Sequence, residues 1–332
     1  MTLLLLSCLR GYVYERLEPR EQPVETPVPT GIDSISATTC EACHTEIAAE
    51  WKTSRMGQAY DNALFQADFV AQGEPYICLR CHSPLLEQQP VIVTGIQSFK
   101  PLTATGTENP LYDPELQHEG VTCVACHLQD GAMVAGHEDV NAPHPTAVGT
   151  IDCGRCHQLA SPPLWSLERD IADTVGEHSR WSGTESCVDC HMPTVERPLV
   201  EGYPVRTGHR HTFPGAWNDD MVRSAVTMEV VRSEGATKVL LTNTAGHNVP
   251  STEPAHVLRL TVGEQTVDFS RVIEGRKELS DTTLLPDETR TLDFEGTGAV
   301  KLEFLRFGLH PTLLDEAGIE NHTVRIASVD AL

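Results

Sequence analysis

The feature that most constrains this chain is a five-residue word, Cys-x-x-Cys-His, that occurs five times. It stands as Cys40-Glu-Ala-Cys43-His44, Cys78-Leu-Arg-Cys81-His82, Cys123-Val-Ala-Cys126-His127, Cys153-Gly-Arg-Cys156-His157 and Cys187-Val-Asp-Cys190-His191. These words use ten of the eleven cysteines, and only Cys8 is left over. Residues three apart on a helical turn share a side, so the two thiols of each word face the same way. Thiols at that spacing reach the two vinyl groups of one porphyrin, and the next residue sets an imidazole beneath its iron. The words therefore read as five sites for covalently attached haem c, with the ten cysteines as anchors. His44, His82, His127, His157 and His191 are then the proximal iron ligands.

Other uses of paired cysteines fit less well. A structural zinc site takes the pairs two at a time, and five is an odd number. A thioredoxin-like centre needs one pair in a βαβ setting. Disulfides across each pair leave the invariable His unexplained.

Composition bounds the partners. The chain has 332 residues, enough for about two domains. With 47 acidic and 24 basic residues its formal charge is −23. That argues against nucleic acid, whose phosphates need a positive face. It suits soluble redox proteins that carry a basic patch. Only 5% of the residues are aromatic, so packed porphyrins are expected to form much of the interior of the haem region. No run of eighteen or more apolar residues exists to span a membrane as a helix.

Four regions are expected. Residues 1–8 are a short apolar start that ends in Leu5-Leu-Ser7-Cys8, a lipobox-like word, and they read as the remnant of a signal. Residues 9–39 hold Pro23, Pro27 and Pro29 among several Glu and read as an extended tether. Residues 40–221 hold every haem word and are expected to be mainly helix and loop, punctuated by proline. Residues 222–332 contain no Cys, and short alternating or β-branched segments predict a small β-sandwich-like domain. The class is therefore α+β. Cys8 is the expected lipid anchor, with the true start of the chain further upstream. Covalent haem attachment implies export to the periplasm or outer membrane.

The sixth position of each iron decides between electron transfer and catalysis. Seven His outside the words lie in or near the haem region. His118 and His211 lead as distal ligands, with His209 as the alternative to His211. His178 follows, and one of His137 and His144 is expected to bind. His247, in Asn243-Thr-Ala-Gly-His-Asn-Val-Pro250, either reaches back to a haem or orders its loop. Met56 is a thioether candidate that would raise its haem's potential, as against simply packing in the interior.

The sequence resembles the multihaem cytochrome c group that includes the tetrahaem cytochromes and hydroxylamine oxidoreductase-like proteins. Four words carry the resemblance: Cys40–His44 with Trp51-x-x-Ser54, His118 before Gly120-Val-Thr-Cys123, Cys190-His-Met-Pro193 and His211-Thr-Phe-Pro-Gly215. It covers residues 40 to about 215. It implies haem pairs stacked in parallel or meeting edge-on, and a distal role for His211. Such relatives often carry His where Met56 stands. The Asn243–Pro250 word looks like one seen in β-domains appended to such cytochromes. The function expected is electron transfer between redox proteins, with the β-region docking into a larger respiratory complex. The alternative is a haem oxidoreductase acting on a small nitrogen or sulfur species at one open haem.

Overall fold

The structure is a computed structural model. It describes residues 14–15, 23–97, 100–136, 138–139, 141–161, 166–251, 255–308, 311–320 and 322–331. Cys8, most of the expected tether before residue 23, and His137 lie outside the described residues. Where it is described, residues 9–39 are not a free tether: Tyr14–Glu15 pairs with the strand Val91–Gln97, Val24 bridges Leu85, buried Thr26 donates to Glu87, and Ile35 is in an apolar cluster. The chain is mixed α+β, as expected. It divides into two compact units. The first is residues 1–155, 162–164 and 194–213; the second is 156–161, 165–193 and 214–332.

In the first unit the helices are short and serve the haem words. Ala37–Glu41 carries Cys40, and Ser36 caps it by accepting from the Thr38 N–H. His44 then precedes the helix Thr45–Thr53, which buries Ala48 and Trp51. The second and third words form the helices Tyr76–His82 and Cys123–His127. Much of the connecting chain is irregular, so its backbone groups need partners. Buried amides supply them. Gln88 donates to the carbonyls of Leu116 and Gly120, both at 2.8 Å. Asn109 donates to those of Leu86 and Gln89, again at 2.8 Å. The apolar cluster here is Ile35, Leu85, Leu116, Val124 and Leu128.

This unit is not just helix and loop. Val91–Gln97 pairs antiparallel with Lys100–Glu108, and Thr194–Pro198 with Val205–His209. The β-branched run Val91-Ile-Val-Thr94 outweighs the nearby prolines, which sit at the strand ends or, as Pro101 does, near the hairpin turn.

In the second unit, Thr174–His178 and Cys187–His191 are single helical turns. Two antiparallel sheets follow. One runs in the order Val226–Ser233, Ala236–Asn243, Thr289–Glu295; the other Gln265–Phe269, Val257–Val262, Val300–Leu305, Thr323–Val329. Alternate residues of Ala236–Asn243 are buried, which is the period of a half-buried strand. Both sheets feed one core: Val226, Val239, Leu241 and Phe294 from the first meet Leu258, Leu260, Phe269, Val300 and Leu302 from the second.

Candidate haem sites

All ten cysteines of the five words are half-buried or exposed, and none pairs with another as a disulfide. In the first unit the thiols of Cys40 and Cys123 lie within hydrogen-bond reach, so the first and third words are side by side.

Four of the five word imidazoles share one arrangement. His44 Nδ1 donates to the Leu199 carbonyl at 3.0 Å, His82 to Ala59 at 2.7 Å, and His127 to Val134 at 2.8 Å. In the second unit His191 donates to Pro214 at 2.6 Å. A carbonyl only accepts, so Nδ1 carries the proton and Nε2 keeps its lone pair. This is how ligating imidazoles are fixed in tautomer and ring orientation.

Several candidate distal imidazoles are held in the same way. His178 Nδ1 donates to Gly246 at 2.9 Å, His247 to Asn248 at 2.9 Å, and His211 to His209 at 3.1 Å. His118 differs, because its Nδ1 meets the Asp61 carboxylate at 2.6 Å. His144 makes only a long contact of 3.4 Å with the next carbonyl.

Two pairs stand at a telling distance. The ring centres of His127 and His211 are 6.0 Å apart, with planes 29° apart. Those of His191 and His247 are 6.2 Å and 17° apart. Metal–imidazole bonds of about 2 Å on each side, plus about 1 Å from each nitrogen to its ring centre, put two imidazoles that share one metal about 6 Å apart. Each pair joins a His of a haem word to a His outside one. Each separation therefore fits two imidazoles that would hold one iron between them.

Electrostatics favours the ligating form. Burial pushes the His211 imidazole down to about 4, with His127 adding to the shift. Burial also lowers His127, His157 and His247 below the ordinary value. A neutral imidazole is the one that binds metal.

Positioning residues complete the sites. Glu50, on the helix Thr45–Thr53, accepts from Arg197 at 2.9 and 3.0 Å, from Arg210 at 2.7 Å, and from the His211 backbone N–H at 2.9 Å. Burial opposes ionisation of Glu50, but the Arg197 guanidinium and the His211 amide outweigh it and hold its carboxyl below the usual range. Glu177 is fully buried. It accepts from Arg169, from the Ser251 hydroxyl, and from the Asn248 N–H at 3.3 Å. Asn243 donates to the carbonyls of His247, Leu284 and Leu285, which shapes the loop that carries His247. Glu50 and Glu177 went unread in the sequence, since neither lies in a haem word and their partners are remote in the chain.

Met56 lies beyond the end of the helix Thr45–Thr53, with its side chain half-buried. Its carbonyl accepts from the Val121 N–H at 3.0 Å. A side chain at Gly120, whose φ is +60°, would strike the Met56 carbonyl, so that close approach requires glycine. His209 ends the strand Val205–His209 and gives its carbonyl to Arg197 and His211. Phe65 stacks flat on the His82 ring, centres 3.7 Å apart.

Among the described residues, no helix is long and apolar enough to cross a membrane. Residues 39–128 match the model of the family described as cytochrome c554 and c-prime. No curated protein matches the chain. Among solved structures, a penta-heme cytochrome c552 from Thermochromatium tepidum shares the fold, with a TM-score of 0.63 and 18% identity over 90% of this chain and 98% of that one. With the five haem words and the paired imidazoles, the family match and the shared fold support a multihaem c-type cytochrome.

Proposed function

We propose that the chain carries five haems and passes electrons between redox proteins outside the cytoplasm. The observation that carries this reading is the pairing of His127 with His211 and of His191 with His247 at about the separation one shared iron demands. Haem closed on both faces exchanges single electrons and offers no site to a substrate. His211 and His247 are then distal ligands. For the irons of His44, His82 and His157 the candidates are His118, His178, one of His137 and His144, and the thioether of Met56.

The chain's own residues hold the imidazoles neutral, in one tautomer and at fixed distance. Such a rigid ligand set changes little between oxidation states. The contact between Cys40 and Cys123 supports neighbouring haems in the first unit. A net charge of −23 suits a partner with a basic patch, and association with it should weaken as salt rises. Cys8 would anchor the chain through lipid, and residues 222–332 would dock it into a larger respiratory assembly.

Carbon monoxide tests the reading. The reduced protein should give no carbonyl adduct. An adduct at one haem in five would instead support an enzyme acting on a small nitrogen or sulfur species, in the manner of the hydroxylamine oxidoreductase-like proteins.

A further inference from the structure

We propose that Asp61 sets the potential of one particular haem, the one His118 binds, through the hydrogen bond its carboxylate accepts from the His118 imidazole. The inference rests on the reading of His118 as an axial ligand. Its starting point is a difference in acceptor. His44, His82, His127, His178, His191, His211 and His247 each turn Nδ1 to a neutral backbone carbonyl. His118 turns Nδ1 to the Oδ1 of Asp61 at 2.6 Å.

Hydrogen bonds to an ionised acceptor are shorter and roughly twice as strong as neutral ones. A carboxylate on Nδ1–H pulls that proton away and pushes electron density toward Nε2, which makes the imidazole a more basic ligand. A more basic ligand stabilises ferric over ferrous iron. The negative charge of Asp61 acts in the same direction. Both effects lower the potential of this haem relative to one whose ligand meets a carbonyl.

The geometry is built rather than incidental. His118 is the C-terminal cap of the helix Pro114–Gln117, which Asp113 caps at its other end by accepting from the amides of Glu115 and Leu116. The ring of Tyr60 meets the His118 ring edge-on, with centres 5.4 Å apart. Asp61 follows Tyr60 directly and so arrives on the same side. The side chains of His118 and Asp61 are 58% and 51% exposed, so solvent screens the through-space part of the effect. The contact hydrogen bond carries the rest.

Two variants separate the proposal from the reading beneath it. In the full chain with all five haems loaded, His118→Ala should produce a high-spin signal and carbon monoxide binding at one haem. Asp61→Asn keeps an acceptor and removes the charge. It should retain five haems by intact mass and bind no carbon monoxide. One reductive wave in spectroelectrochemistry should move to higher potential while the other four stay, and one low-spin ferric resonance should shift. If His118→Ala opens no haem, His118 is not a ligand, and reading and proposal fall together. If it opens a haem but Asp61→Asn leaves every wave in place or lowers one, the pair is a surface ion pair and the proposal alone falls. A haem opened by Asp61→Asn would make Asp61 a support for the ligand rather than a tuner of it, and would also overturn the proposal.

Discussion

His191 and His247 face each other with ring centres 6.2 Å apart and planes 17° apart, although 55 residues of chain separate them. Each ring is fixed by its own carbonyl, Pro214 for His191 and Asn248 for His247. His191 comes from a haem word and His247 from the loop between two strands of the β-rich region. The sheet on which that loop stands would therefore support the site if the two imidazoles hold one iron.

If this pairing closes an iron, removing the distal partner opens it. His247→Ala should keep five haems, because attachment uses Cys187 and Cys190, yet bind about one carbon monoxide per chain when reduced. His211→Ala should do the same at the His127 site, and the double variant should bind two. Optical titration with carbon monoxide measures this directly. Unchanged spectra in either single variant would remove that residue from the ligand set.

Glu177 is the keystone of the loop that carries His247. It is fully buried against Arg169, Ser251 and Asn248, and Arg169 also pairs with Asp281 at 2.8 Å. Glu177→Ala would leave Arg169 with Asp281 and, at 3.9 Å, Asp173 as its remaining carboxylates in a buried setting. Because Asp281 remains, the expected loss of stability lies at the low end for a broken buried pair, about 3 kcal/mol. Denaturant unfolding of the haem-loaded protein checks this, and a loss below about 1 kcal/mol would show that the network is slack.

The Cys-x-x-Cys-His words stand out in the sequence because their pattern is local: two thiols and an imidazole on one turn. So do strands such as Ala236–Asn243 and Val300–Leu305, whose alternation is plain in the residues. The hairpin Val91–Gln97 with Lys100–Glu108 was hidden by neighbouring prolines, and Gln265–Phe269 by its polar composition. Pairings such as His127 with His211 were out of reach of sequence reasoning. They depend on the hairpin Thr194–His209, which the structure pins to the helix Thr45–Thr53 through Arg197 and Glu50. An imidazole outside the words carries no local mark of which iron it serves.

Glu50 offers a test of that pinning. It holds Arg197, Arg210 and the His211 amide together, all within the first unit. Glu50→Ala should loosen His211 without removing it. A partial high-spin signal at one haem, with weak carbon monoxide binding, is the expected result. Glu50→Gln still accepts from the His211 amide and should recover most of the low-spin form. Paramagnetic resonance distinguishes the two, and an alanine variant with wild-type spectra would show that His211 is seated without Glu50.

His256 predicts how stability depends on pH, and it lies outside every proposed ligand set. Its ring packs against Phe304 and Phe307, with centres 5.3 and 5.2 Å away. Burial first, then the positive charge of Arg306, pushes its imidazole down to about 4. In the unfolded chain the same imidazole titrates near the ordinary value of about 6.5. Between those two values the unfolded chain holds a proton that the folded chain lacks, so the folded state loses stability as pH falls. The contribution is full above about pH 6.5 and gone below about pH 4, and the gap corresponds to about 3 kcal/mol. His256→Phe keeps the ring packing and removes the titration. Denaturant unfolding at pH 7 and at pH 4 should therefore show the parent losing about 3 kcal/mol more than the variant across that interval. The comparison cancels every other group that titrates there, the haem propionates included. Equal losses in the two proteins would mean that His256 gains access to water or a partner on protonation and does not resist it.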